Sequence, residues 1–245
     1  MNDHRLAAEL ATRAGELLVD IRAELSDAPA AARKAAGDKG SHDFLMEALS
    51  SARPDDAVLS EEGADDPVRL GARRVWIVDP LDGTREFSEP GRDDWAVHVA
   101  LWCDGGLAAG AVALPSQGLT LATPDVPGPP PHDGPPRIVV SRTRPPEVAL
   151  RVRDALDGTL VEMGSAGAKV AAVINGRADV YVHAGGQYEW DSAAPVAVAR
   201  AAGLHTSRID GSALQYNREN PLLPDLLVCQ SHCAADVLRA VRDHS

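Results

Sequence analysis

From residue 3 to about residue 26, apolar residues recur at helical spacing. Leu6, Leu10, Leu17, Leu18 and Ile21 fall along one stripe, with Asp, Glu and Arg between them. This predicts an amphipathic helix. A short polar segment, RKAAGDKGSHD, follows, and a second helix is predicted from Ser41 to Ala52, with Pro54 beyond its end. The period then changes. AVLSEEG reads as a short strand ending in two glutamates, and RVWIVDP as the next strand. DWAVHVALWCDGGLAAGAVALP reads as two strands around an Asp-Gly-Gly turn, and GLTLAT as a further short strand.

The stretch TPDVPGPPPHDGPPR has no apolar period and reads as an extended, solvent-facing linker. It divides the chain into a half of residues 1–122, a linker of 123–136 and a half of 137–245. The first half has two helices and then a meander. The second alternates: RIVVS strand, PPEVALRVRDAL helix, GSAGAKVAAVINGRA turn and helix, ADVYVHA strand, DSAAPVAVARAAG helix closed by Gly203, DLLVCQ strand and a last helix. No internal repeat interrupts this order.

Composition narrows the class. With 245 residues, 44% hydrophobic, the chain is long enough for a sizeable core, and 4% aromatics make that core aliphatic. The formal net charge of −12 repels nucleic-acid backbones and anionic membranes. An anionic substrate would therefore need a local cation. The opening residues contain no apolar core of signal-peptide type, and no run has transmembrane length. Cys103, Cys229 and Cys233 are too few and too odd for a disulfide framework, so the reducing cytoplasm is the expected address.

The chemistry concentrates in VWIVDPLDGTREF. Pro80 keeps Asp79 extended at the mouth of a strand. Leu81 offers a carbonyl between two acids, Asp82 can cap a following helix, and Gly83 and Thr84 can present backbone N–H groups to an anion. Carboxylates beside an anion site make electrostatic sense if divalent cations lie between. By itself the stretch is equally a capped turn. Two further segments weigh against that: LSEEG puts Glu61 and Glu62 at the end of a neighbouring strand, and YEWDSAAP puts Asp191 just before a helix, as its N-cap. Oxygen ligands gathered from several chain ends suit magnesium, and no His/Cys cluster suggests zinc.

In this order, SEEG, WIVDPLDGT and EWDSAAP resemble the inositol monophosphatase superfamily over nearly the whole chain. The resemblance implies lithium-sensitive, magnesium-dependent phosphomonoesterases with an α+β, layered α/β/α/β/α sandwich of the inositol monophosphatase and fructose-1,6-bisphosphatase type. Residue by residue, Glu61 resembles the glutamate shared by a first metal and a weaker third one. Asp79 resembles the aspartate bridging the first two metals, and Leu81 would give its carbonyl to the first. Asp82 and Asp191 would complete the second metal's shell. Thr84, with Asp38 of AAGD, would orient the attacking water; Asp43 is the weaker candidate for that upstream aspartate. The family precedes it with Val-Thr-x-Ala where this chain reads ARKAAGD, so two magnesium ions are expected and the third site lacks its usual threonine.

DGTREF, DDWAVHVAL, VVSRTR and GSAGAK are similar to the branch of 3'(2'),5'-bisphosphate nucleotidases, which is linked to sulfate assimilation. That implies removal of the 3'-phosphate of 3'-phosphoadenosine 5'-phosphate, and of its sulfated form if that is accepted, to give AMP. Gly83 and Thr84 would meet the scissile phosphate. Arg142 and Lys169 are candidates for the second phosphate, Gly164 and Ser165 for ribose or phosphate through backbone N–H groups, and Glu189 for a ribose hydroxyl. Alternatives are an inositol-1-phosphatase or fructose-1,6-bisphosphatase, and a non-catalytic, metal-dependent anion-binding protein. The partner is a small nucleotide or sugar phosphate. Homodimers are common in the superfamily, but no interface is legible here.

Overall fold

A computed structural model describes residues 1–242 of the chain. Helix α1 (Asp3–Glu24) and helix α2 (Ala30–Ala52) precede a five-stranded sheet in the order β1-β2-β3-β4-β5. Its strands are β1 (Ala57–Ser60), β2 (Arg74–Asp82), β3 (Ala96–Cys103), β4 (Gly106–Leu114) and β5 (Leu119–Ala122), with a short helix α3 (Thr84–Ser88) after β2. The β1–β2 pair is parallel and the rest antiparallel. Asp104 and Gly105 turn the β3–β4 hairpin, both at positive φ (48° and 98°), as a two-residue turn between twisted strands requires.

The second sheet has the order β7-β6-β8-β10-β9. It comprises β6 (Arg137–Ser141), β7 (Thr159–Met163), β8 (Val180–Tyr188), β9 (His205–Ser207) and β10 (Leu222–Cys229). Between these strands run α4 (Glu147–Ala155), α5 (Ala166–Ile174) and α6 (Glu189–Ala201), and α7 (Ala234–Arg242) follows. Strands β7 and β9 had no sequence expectation. Both lie at sheet edges, where half-exposed residues blur the apolar pattern.

The layers follow from strand alternation. On β2, Trp76 and Val78 face α1 and α2, meeting Leu6, Leu10, Leu18, Leu45 and Leu49. Val75 and Ile77 face the other way, into a cluster with Val170 and Val173 of α5 and Val196 and Val198 of α6. On the far side of the second sheet, Val140, Val182 and Leu227 pack on Val148 and Val152 of α4 and Val237 of α7. The result is the five-layer α/β/α/β/α sandwich. The central cluster joins residues of both sheets, so the halves share a core. Helix α6, from the second half, lies directly on the first sheet: a Cβ on Gly110 of β4 would sit 2.5 Å from Ala197 Cβ.

One expectation is corrected. The polar segment before Ser41 is not irregular but lies within α2, which runs unbroken through Asp38. Its buried face is Arg33, Gly37, Ser41, Leu45 and Leu49, a perfect i, i+4 stripe. Only its last two members are apolar, so hydrophobic periodicity could not find the first half. Polar contacts hold it instead. Arg33 donates to the carbonyls of Leu25, Ser26 and Ser88, and Ser41 Oγ donates to Pro80 O at 2.6 Å.

Candidate metal-dependent phosphatase site

The strand pairing explains how the acids meet. Ser60 pairs with Val78, and the Glu61 N–H donates to Val78 O at 3.3 Å, so Glu61 leaves β1 beside Asp79. Asp79 and Asp82 are three residues apart and would face opposite sides of a regular strand. They do not, because Asp79 opposes His98 while Asp82 opposes Ala96: three steps on β2 match two on β3. This bulge contains Pro80, which has no N–H to give to a ladder. It turns Leu81 outward to α2 and Asp82 inward beside Asp79. Helix α6 then brings Asp191. Carboxylate oxygens of Asp79, Asp82 and Asp191 all lie within 4.8 Å of one another.

Two local expectations change. Asp82 does not cap α3. Its Oδ2 accepts from Ser165 Oγ at 2.5 Å and from the Gly167 N–H at 2.7 Å, which ties it to the start of α5. Asp191 is not the N-cap of α6 but sits in its first turn, where its Oδ2 accepts the Tyr188 N–H at 2.6 Å. Asp79 Oδ1 accepts the Leu81 N–H at 3.0 Å, which fixes the carboxylate across the bulge.

The electrostatics of the cluster suit a cation. Asp79 is 1% exposed, and burial, with Glu61, Asp82 and Asp191 around it, holds its carboxyl well above the usual carboxylate range. Burial, with Asp82 and Glu61 nearby, pushes Asp191 up to about 7; burial, with Asp82, Glu62 and Asp38 nearby, raises Glu61. Asp82 departs the other way. Burial raises it, but His98, Ser165 and Lys169 outweigh that and lower it. Asp38 is pushed up to about 6 by burial and by Glu62, and its Oδ1 is buried with no hydrogen-bond partner. Hard oxygen donors held this close, two from the end of β2 and one from the first turn of α6, fit a divalent cation.

His98 was not singled out in the sequence as a site residue. It is fully buried on β3, with Nε2 3.2 Å from Asp82 Oδ2, Nδ1 3.9 Å from Asp79 Oδ2, and Nδ1 3.1 Å from Trp190 O. The carbonyl makes Nδ1 a donor. The ring thus links the β2 acids to the start of α6. A Cβ on Gly167 would lie 2.2 Å from Nε2, so only glycine fits there. Sequence spacing carries no signal for any of these long-range contacts.

The expected substrate residues are largely engaged within the protein. Glu189 does not face a ribose site: it is 1% exposed, and its two oxygens accept the N–H groups of Asn217 and Arg218 at 2.6 and 2.8 Å. Gly164 does not offer its N–H either, which donates to Asp94 Oδ2 at 2.5 Å. Lys169 is buried, donates to Gly164 O at 2.6 Å and lies over the Tyr181 ring. Arg142 is spanned by Glu86 and Glu89, at 2.7 and 2.8 Å. Asp43 pairs with Lys39 on the exposed face of α2. Thr84 opens α3, and its hydroxyl has no protein partner among the described residues. A cavity of about 450 Å³ adjoins the cluster, lined by Arg85, Glu86, Ser141, Thr143, Arg144, Gly164, Ser165 and Lys169. A larger one, about 600 Å³, lies under residues 208–224 and includes none of the clustered acids.

Residues 5–128 and 137–245 match the inositol monophosphatase family. The chain belongs to the inositol monophosphatase family. It is 50% identical to a 3'-phosphoadenosine 5'-phosphate phosphatase of Mycobacterium leprae, over 99% of this chain and 94% of that protein. It is 32% identical to the 3'(2'),5'-bisphosphate nucleotidase CysQ of Escherichia coli, over 79% of this chain and 83% of that protein. The structure of inositol monophosphatase II from Staphylococcus aureus superposes with a TM-score of 0.81 at 20% identity, covering 100% of this chain and 97% of that one. That likeness speaks to the fold: the layered sandwich is the family's.

Proposed function

We propose that this chain is a magnesium-dependent 3'(2'),5'-bisphosphate nucleotidase that removes the 3'-phosphate of 3'-phosphoadenosine 5'-phosphate to give AMP. The observation that carries the reading is the Asp79, Asp82 and Asp191 cluster, within 4.8 Å, with Asp79 and Asp82 buried and Asp191 half-buried, in a chain half identical to a phosphatase of that name. In this reading Glu61, Asp79 and the Leu81 carbonyl would hold one magnesium ion, and Asp79, Asp82 and Asp191 a second. Glu61 also serves a third, weaker site, which lacks the family's threonine. Cations bound there would supply charge neutralisation for the phosphate and leaving oxygens and a lowered pKa for water.

The protein's own groups supply position and proton transfer. Asp38, with a buried unpartnered oxygen and a pKa of about 6, is suited to take a proton from water near neutral pH. Thr84, at the start of α3, orients that water. Ser165 and the Gly167 N–H fix one oxygen of Asp82 and so leave the other for the ligand. No side-chain nucleophile enters the reading.

No helix among the described residues is long and apolar enough to cross a membrane. Three free cysteines support a reducing, cytoplasmic address, where the reaction would clear a by-product of sulfate assimilation. The family's homodimers set the expected assembly, which light scattering measures directly. The activity is tested by phosphate release, with magnesium and at matched concentration, from 3'-phosphoadenosine 5'-phosphate, inositol 1-phosphate and fructose 1,6-bisphosphate. Turnover of inositol 1-phosphate equal to or above that of the nucleotide overturns the nucleotidase reading. Absence of turnover of all three favours the anion-binding alternative.

A further inference from the structure

The cavity of about 450 Å³ beside the acid cluster contains three cations of unequal availability. Lys169 is buried and bonded to Gly164 O. The side chains of Arg85 and Arg144, both exposed, have no hydrogen bond or ion pair among the described residues. The acid in the same wall, Glu86, is already matched by Arg142 at 2.7 Å. The cavity therefore presents two uncompensated guanidinium groups in a protein of net charge −12. Hydroxyls of Ser141 and Thr143 line it with them.

The distance to the chemistry is one side chain. Ser165 lines the cavity, and its Oγ donates to Asp82 at 2.5 Å. Arg85 follows Thr84 directly, three residues after Asp82, and a Cβ on Gly83 would lie 3.1 Å from Ser165 Cβ. An anion in this cavity and a phosphate at the acid cluster can thus belong to one small molecule. Planar, always-charged arginine forks suit a phosphate bound by several oxygens.

We infer that Arg85 and Arg144 form a second-anion subsite, which holds the phosphate that is not cleaved and selects doubly over singly phosphorylated esters. This rests on the phosphatase reading above and replaces Arg142 and Lys169 as the contacts for that group. Neither residue takes part in bond making or breaking. The subsite acts on binding, and a substrate with one phosphate leaves it without its anion.

The test measures kcat/KM for 3'-phosphoadenosine 5'-phosphate, for adenosine 3'-monophosphate and for fructose 1,6-bisphosphate. It uses the full chain, and R85Q, R144Q, the double variant and R144K. Magnesium-dependent thermal stabilisation of each variant checks that the fold and the metal cluster persist. The double variant is expected to lower the bisphosphate-to-monophosphate ratio by roughly ten- to a hundredfold, mostly through KM, with R144K restoring part of it. A ratio that stays constant, because both esters fall equally or neither falls, overturns the subsite. So does a wild-type chain with no preference for the second phosphate. If fructose 1,6-bisphosphate is preferred over the nucleotide and the double variant lowers its kcat/KM relative to that of the monophosphate, the subsite stands and the nucleotidase reading falls.

Discussion

His98 Nε2 lies 3.2 Å from Asp82 Oδ2, and neither side chain is more than 8% exposed. Burial lowers the pKa of His98, but Asp82, the Trp190 carbonyl and Asp191 outweigh burial and raise it. Without a cation, the ring is then the main counter-charge inside the acid cluster. Removing one partner of a buried pair costs about 3–5 kcal/mol, because the other is left uncompensated. H98N should lower the stability of the metal-free protein by about that much. With saturating magnesium the loss should shrink, since the cation takes over the neutralisation of Asp82. Urea unfolding with and without magnesium measures both; an equal loss in the two conditions would mean that the ring only fills space.

The same cluster gives the metal-free protein an unusual pH dependence. Asp191 at about 7, Asp38 at about 6, and Asp79 and Glu61 are all raised above their unfolded values, so each binds its proton more tightly when folded. Their contribution is fully present below about pH 4 and is lost as pH rises through the folded values. His98, also raised, loses its contribution in the same direction. Asp82, lowered, contributes stability above its unfolded value and loses it only in the acid range, so it does not change between pH 5 and pH 8. The metal-free melting temperature should fall between pH 5 and pH 8. Magnesium requires deprotonated carboxylates, so its affinity should rise over the same interval and reverse the trend. Differential scanning fluorimetry in chelator and in magnesium, across that range, tests the crossing of the two curves.

D79N separates stability from function. It removes the carboxylate that Glu61, Asp82 and Asp191 all oppose, while keeping an acceptor for the Leu81 N–H. The metal-free variant should melt higher than the unsubstituted protein at pH 8. Phosphate release should fall by roughly a hundredfold or more if Asp79 is the shared metal ligand proposed above. Wild-type hydrolysis by this variant would remove Asp79 from the site.

How much of this was legible depends on sequence distance. The DPLDGT run, its strand and the acids at its end are local, so their types and spacing were readable. The bulge that turns Asp79 and Asp82 to the same side is not visible in the run itself, because it exists only against β3. His98 and Ser165 meet Asp82 from 16 and 83 residues away, as β3 and α5 come to rest on β2. Glu189 looked available beside Asp191, yet a loop 28 residues on occupies it. Asp38 was readable as a residue but not as part of a helix, because Arg33, Gly37 and Ser41 bury themselves through hydrogen bonds and close approach rather than apolar surface.

That close approach separates Gly37 from Gly40, two glycines of one helix. Alanine in a helix interior is favoured over glycine by about 1 kcal/mol. At Gly40 the new methyl would meet Ile21 Cδ1 at 2.7 Å, the end of a flexible, half-exposed side chain that can move aside. At Gly37 it would meet Phe87 Cε1 at 2.6 Å and Leu81 Cδ2 at 3.0 Å. Phe87 is fully buried and packed edge-on against Trp95 at 5.1 Å, so it has no room to yield. Overpacking of that kind costs about 1–3 kcal/mol and outweighs the helix gain. G40A should therefore be neutral or slightly stabilising. G37A should destabilise by up to about 2 kcal/mol. Because Leu81 and Asp38 flank the clash, it should also lower kcat more than G40A does. Paired unfolding and kinetic measurements decide this: G37A with unchanged kcat would show that α2 supports the fold without positioning Asp38.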